Sequence, residues 1–228
     1  QDSILTAADF FKGVSEHYGT IKEYEANVFI QAGKTTMEGR VSFKRPNLLR
    51  IDFSNPETQV LVFNGDMLTI YLPGPKAVLN QTVQSDGVSS NGVNLATPQG
   101  LQLMSRYYTI AYLSGPDTVP LDESIQNSEK VIKLVLTRRT TSEGFEKIIL
   151  SISPKSKLIR RVDADSVSGE KFVFDFSDYQ LNTEIPDTRF IYDAPSSANN
   201  YNNFLYSEWG KKYYGKFWRN FIKDSRKI

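Results

Sequence analysis

No cysteine occurs in this chain of 228 residues. That removes structural disulfides, thiolate zinc sites, thiol nucleophiles and a lipidated N-terminal cysteine. Histidine is nearly missing as well: His17 stands alone. A histidine-based metal site or a Ser-His-Asp triad would have to form around that one imidazole, and its place in the first helix reads as an exposed one. Net charge is close to zero, with 27 Lys/Arg against 26 Asp/Glu, so no global field draws the chain to nucleic acid. No run of about 18 apolar residues occurs, so no segment reads as a membrane-spanning helix. Gly-x-Gly-x-x-Gly, phosphate-loop and Gly-x-Ser-x-Gly patterns are missing too. Paired carboxylates do occur, at Asp163 and Asp165, Asp175 and Asp178, and Asp122 and Glu123. Alternate carboxylates on a strand are ordinary solvent-facing residues, and their spacing specifies no acid–base chemistry. The sequence therefore assigns no catalytic residue, metal or cofactor, and the expectation is a protein that is not an enzyme.

Aromatic residues are plentiful instead, with 14 Phe and 12 Tyr, a composition that favours strands. Residues 5–18 read as a helix: Thr6 can cap it, and Phe10, Phe11, Val14 and Tyr18 recur at helical spacing. From 21 to 31 the period changes to two, with Tyr24, Ala26, Val28 and Ile30 on one face. Gly33-Lys34 turns the chain into a second strand over 35–43, where Met37, Gly39, Val41 and Phe43 alternate with polar residues. Short strands are expected over 48–53, 58–63, 67–72 and 77–82. Turns divide them at intervals of about ten residues, the pattern of an antiparallel all-β sheet. Asn64-Gly65-Asp66 is the strongest turn, because Asn and Gly accept the positive φ that a tight hairpin needs.

Residues 84–96 break the pattern with Ser, Gly, Asp and Asn and read as a mobile connection. Thr97-Pro98 then opens a second helix expected to run to about Leu113. Its apolar positions include Leu101, Met104, Tyr107, Tyr108 and Ala111. Strands resume over 130–138, 145–152, 158–165, 171–181 and 189–192. The run Asn199-Asn200-Tyr201-Asn202-Asn203 reads as a polar hinge. From Tyr201 onward the chain holds seven Lys/Arg and two Asp/Glu, so the body carries −4 and the tail +5. On a helical wheel Trp209, Tyr213, Phe217, Trp218 and Phe221 fall on one arc and the cations on the other. Such a tail suits an anionic membrane surface, a partner protein or this protein's own body.

The physical reading is a β-rich domain whose curved sheet has an apolar inner face. Something must cover that face in water; the helix beginning at Pro98 is the natural cover, and the linker before it gives it freedom to move. Val28, Ile30, Met37, Val41, Phe43, Leu49, Ile51, Phe53, Leu61, Phe63, Ile70 and Leu72 are the candidates for the wall beneath it. Strand alternation is expected to turn about half of them inward.

The stretch from Gly39 to Pro73 resembles the signature of the LolA family, periplasmic carriers that take lipoproteins from the inner to the outer membrane. The likeness rests on the Phe43-Lys44-Arg45-Pro46-Asn47-Leu48 turn, the short strand after it and the Asn64-Gly65 hairpin. Residues 185–195 likewise resemble the way LolA-like domains close their sheet. The resemblance covers about residues 5–195. It implies a mainly β (α+β) fold, an incomplete barrel of curved antiparallel sheet covered by helices. It implies a carrier domain over 1–198, with a basic, aromatic helical extension over 199–228. Arg45 takes the place of the family arginine that bonds lid backbone groups in the closed state, and Pro46 fixes its turn. The implied partners are acylated lipoproteins or lipid, an inner-membrane ABC transporter complex and an outer-membrane acceptor, with transient membrane contact and no nucleic acid. With no N-terminal cysteine the chain resembles the soluble carrier, expected as a monomer in the periplasm after removal of a signal peptide. A lipid or glycolipid binder, or a periplasmic sensor of the same fold, is the alternative.

Overall fold

A computed structural model describes residues 5–82, 98–141 and 143–204. Helix α1 (Ala7–Thr20) comes first, and the Thr6 side chain accepts from the backbone N–H of Asp9 as expected of its cap. Six strands follow: β1 (Glu23–Ala32), β2 (Thr35–Lys44), β3 (Leu48–Asn55), β4 (Val60–Phe63), β5 (Met67–Leu72) and β6 (Ala77–Thr82). Helix α2 (Pro98–Tyr107) passes straight into β7 (Tyr108–Tyr112), followed by β8 (Val119–Pro120), β9 (Lys130–Arg138), β10 (Phe145–Ile152), β11 (Ile159–Ser166) and β12 (Lys171–Leu181). A 3-10 turn (Asp187–Phe190) and β13 (Asn199–Asn202) complete the described elements.

The strands form one open curved sheet in the order β13-β6-β5-β4-β3-β2-β1-β12-β11-β10-β9-β7, with β8 also paired to β9. Two meanders, β1–β6 and β9–β12, are joined where β1 pairs antiparallel with β12, so Val28 faces Phe176 and Ile30 faces Phe174. Period-two alternation gives the sheet two different faces. The inner face and the two helices bury one large cluster running from Phe11 and Val14 through Val28, Val41, Leu136 and Phe174. On the outer face a smaller cluster of Val60, Val62, Tyr71 and Val78 lies beneath Tyr192, Ala194 and Ala198.

The Asn64 hairpin forms as expected. Gly65 takes φ +103°, and the Asn64 carboxamide oxygen accepts from the N–H groups of Asp66 and Met67. Four expectations are corrected. The second helix ends at Tyr107 rather than near Leu113, because the alternating Tyr108-Thr109-Ile110-Ala111-Tyr112 run pairs with β9, Ile110 opposite Leu136. Residues 189–192 are not a strand: the carbonyls of Arg189 and Ile191 accept from Arg50 Nη1 instead of from a neighbouring strand. The asparagine run is not a hinge, since Asn199–Asn202 lies parallel to β6 and the Asn199 N–H donates to the Lys76 carbonyl at 2.8 Å. His17 is half-buried rather than exposed. Its Nε2 is buried without a hydrogen-bond partner, and burial, then the Lys157 charge, lowers its pKa. The linker over 84–96 and the tail positions Trp209, Tyr213, Phe217, Trp218 and Phe221 lie outside the described residues.

Between β12 and β13 the chain crosses the outer face as a strap. The Ile185 N–H donates to Glu23 Oε1 at 3.0 Å, and Lys44 Nζ donates to the Ile185 carbonyl at 2.6 Å. Asp52 bonds both Arg50, at 2.8 Å, and Arg189, at 2.5 Å. Burial raises the Asp52 pKa, but the two guanidinium groups outweigh it and hold the carboxyl below the usual range. A carboxyl depressed in this way contributes stability that is complete above its unfolded-state pKa and lost as pH falls through the folded value. The strap is therefore expected to hold at neutral pH and to loosen only in acid, below about pH 4. Proteolysis of the strap followed against pH checks this; Asp52→Asn should loosen it at every pH and abolish that acid transition.

Candidate functional site

The inner face is built from strand residues two apart, and all twelve wall candidates lie on it. Val28, Ile30, Met37, Val41, Phe43, Leu49, Phe53, Leu61, Ile70 and Leu72 are buried in the main cluster, and Ile51 and Phe63 pack against it half-buried. The expectation that only half would face inward fails for a simple reason: within each strand the candidates sit at alternate positions, so they share a face. Cross-strand register then aligns them, with Met37 opposite Ile30, Val41 opposite Ile51, Phe43 opposite Leu49 and Leu61 opposite Ile70.

The second meander supplies a matching half that the candidate set omits. Leu134 and Leu136 on β9, Ile148 and Leu150 on β10, Val162 on β11 and Phe172, Phe174 and Phe176 on β12 belong to the same cluster. Their signal was present in the sequence as the alternation Phe172-Val173-Phe174-Asp175-Phe176. The face is almost entirely hydrocarbon and aromatic carbon. Among the described residues no group of three or more His, Asp or Glu side chains stands close enough to hold a metal ion.

Two helices cover this face. In α2, Leu101 and Met104 are buried in the cluster and Tyr107 packs against it. Tyr108 and Ala111 are not lid-helix residues, because both sit in β7. Tyr108 is buried there, with its hydroxyl donating to the Phe145 carbonyl at 3.3 Å, whereas Ala111 is exposed. The junction between α2 and β7 is tied down by Arg139, whose N–H donates to the Tyr107 carbonyl and whose Nε donates to that of Tyr108.

Helix α1 buries Phe10, Phe11, Val14 and Tyr18. It packs beside α2 and β7, where Tyr112 donates to the Leu5 carbonyl at 2.8 Å. Its C-terminal end is fixed from two directions. The Ile159 N–H donates to the Tyr18 hydroxyl at 2.9 Å, and burial pushes that phenol up to about 12. From the other side Arg45 Nη2 donates to the Gly19 carbonyl and, at 3.5 Å, to that of Tyr18. These are end-of-helix carbonyls, a position that favours a cation; that of Tyr18 also accepts from the Ile21 N–H at 3.2 Å. Pro46 follows through a cis peptide bond. The Lys-Arg-Pro turn therefore reaches α1, where the sequence reading placed the lid in the helix after Pro98.

What this arrangement can do chemically is sequester hydrocarbon. A long apolar chain would meet dispersion contacts and no buried charge along the inner face. Among the described residues, polar contacts tie α1 at both ends and α2 at its junction with β7.

Comparison with known proteins agrees with this geometry. The family model described as "Outer membrane lipoprotein carrier protein LolA" matches residues 26–193. An outer-membrane lipoprotein carrier protein of Methylobacillus flagellatus is 23% identical over 202 residues, 87% of this chain and 88% of that protein. Its counterpart in Haemophilus ducreyi is 25% identical over 172 residues, 74% of this chain and 79% of that protein. Among solved structures, an uncharacterized conserved protein of Thermus thermophilus shares the fold with a TM-score of 0.54 at 15% identity, covering 86% of this chain and 98% of that one.

Proposed function

Because this chain belongs to the LolA family of outer membrane lipoprotein carriers, we propose that it is a periplasmic carrier that shields lipoprotein acyl chains against its inner face. In this reading it collects cargo from an inner-membrane ABC transporter complex and delivers it to an outer-membrane acceptor. The observation that carries the reading is the single apolar cluster spanning both meanders beneath α1 and α2. Transfer of a methylene from water is worth about 0.8 kcal/mol, so one exposed long acyl chain costs on the order of 10 kcal/mol. A carrier has to bury most of that chain and still release it. A latch of a few hydrogen bonds opposes filling and so keeps affinity below that of the final membrane. Arg45, with Pro46 shaping its turn, serves as that latch on α1, and α2 is the second cover.

The test is retention in water. Purified protein mixed with an acylated lipoprotein should hold it in solution without detergent or membranes and pass it to added vesicles. If the lipoprotein precipitates while the carrier stays folded, the reading fails. If free fatty acid binds but the attached polypeptide gains nothing from the carrier, the protein is a lipid binder of the same fold.

A further inference from the structure

The carrier reading uses the inner face of the sheet and leaves a hollow on the outer face without a role. We propose that this hollow, between the strap and β4 to β6, is a second binding site and takes an amino sugar, free or as the headgroup of a glycolipid.

Strand alternation separates this site from the acyl face. Leu61 of β4 and Leu79 of β6 belong to the inner cluster, whereas Val62 and Val78 beside them belong to the outer one. The strap lays residues 190–194 over these outward valines, and Arg50 holds it there by the carbonyls of Arg189 and Ile191. Between strap and sheet a cavity of about 490 Å³ remains, within the size range of small-molecule sites. Its far wall is braced as well: the Thr69 hydroxyl donates to the Asn80 carboxamide at 2.9 Å, and that carboxamide donates to Asn202 at 3.2 Å. A site fixed in this way spends little on ordering when a ligand enters.

The lining sorts the ligands. Val62, Val78 and Met67 give the cavity an apolar floor, and Asn64, Asn200 and Asp193 stand around it. The Asn64 carboxamide oxygen is used by its own turn, which leaves its NH₂ to donate. Asp193 is exposed and brings a carboxylate that forms no ion pair among the described residues. Among those residues no Lys or Arg lines the cavity, so a phosphate or carboxylate ligand would meet repulsion and no complement. A bare alkyl chain would displace water from the carboxamides without replacing its hydrogen bonds. A sugar ring suits both parts of the site. One face of the ring presents C–H groups to the floor, while its rim presents hydroxyls to carboxamides, which donate and accept. An ammonium on that ring meets the Asp193 carboxylate.

Titration of methyl-labelled protein with glucosamine tests the assignment. The Val62 and Val78 resonances should shift and saturate with a Kd of about 1 mM, ordinary for a ligand of this size, while those of Leu134 and Leu136 stay in place. Cyclohexylamine keeps the ring and the ammonium but lacks the hydroxyls, and should bind about tenfold more weakly. Glucose 6-phosphate should not bind. Asp193→Asn should reduce glucosamine to the affinity of glucose. Met67→Lys, at a position 37% exposed, puts a cation on the floor, so it should lose glucosamine and gain glucose 6-phosphate. The octyl glycoside of glucosamine separates the two sources. Tighter binding than the free sugar, with inner methyl shifts added to the outer ones, assigns a glycolipid headgroup; equal affinity assigns a free sugar. Outer valines that stay silent overturn the proposal and leave the carrier reading intact. Wild-type binding of cyclohexylamine or glucose 6-phosphate as tight as that of glucosamine overturns it too, as does an Asp193→Asn protein that still prefers glucosamine to glucose.

Discussion

Arg45→Leu tightens the hold on an acyl chain and slows its release. The Arg45 guanidinium bonds the last carbonyls of α1, and in the proposed function this latch favours the closed cover over the open one. Apparent affinity is the intrinsic affinity scaled by the fraction of molecules able to admit the ligand. Removing a stabiliser of the closed state raises that fraction. Arg45 is exposed, so its charge-assisted bonds are worth about 1–2 kcal/mol, a factor of roughly 5–30 in the open population. Palmitate Kd should fall by that factor and its off-rate should slow, with the far-ultraviolet circular dichroism spectrum unchanged. Arg45→Lys should fall between, because an ammonium lacks the fork that reaches two carbonyls. Fluorescent fatty-acid binding with stopped-flow release measures both quantities. An affinity that stays the same or weakens in Arg45→Leu removes the latch from the account.

Gly39→Ala should be among the most damaging small substitutions in the sheet. A β-carbon at Gly39 would stand 2.4 Å from the Asp52 carbonyl oxygen and 3.0 Å from the Phe53 α-carbon. Both atoms are backbone and cannot rotate away. Here β2 shifts register against β3, between Glu38 and Gly39, and the two strands approach closely. The cost should lie near the top of the overpacking range, about 3 kcal/mol, which lowers Tm by roughly 10 °C in a chain of this size. Because Met37, Val41, Phe43 and Phe53 are set by this pairing, acyl affinity should fall in the same variant. Gly19→Ala is the control. Nothing lies within 4 Å of its added carbon, and relief of helical glycine should leave stability unchanged or raise it by about 0.5–1 kcal/mol. Thermal melts of the two variants decide the matter; a Gly39→Ala protein that melts with wild type would contradict the close approach.

Much of this was legible in the sequence because it is local. Alternation exposed the inner face of β1 to β6, and Asn64-Gly65 carries its own turn chemistry. What escaped depends on partners far along the chain. Tyr108 to Tyr112 is apolar enough to extend a helix, and becomes a strand because β9 lies alongside it. The asparagines of β13 have low strand propensity and are made a strand by the edge of β6. The residues after Pro186 have strand-like composition, but Arg50 takes the carbonyls that a neighbouring strand would need. Arg45 stands in a recognisable motif, yet only the fold shows that its carbonyl partners belong to α1. The inner residues of β9 to β12 show the same alternation as the rest, but the Lys-Arg-Pro motif marks only the first meander.

The claim on which the account depends is that fatty acyl chains lie against the inner face. Spin-labelled palmitate added to methyl-labelled protein tests it directly by paramagnetic broadening. The account predicts broadened resonances from Ile70, Leu134, Leu136, Ile148 and Leu150, which line the inner cluster, and sharp ones from Val60, Val62 and Val78, which lie on the outer face. Broadening confined to the outer valines, or saturable binding that leaves the inner methyl groups untouched, would contradict it.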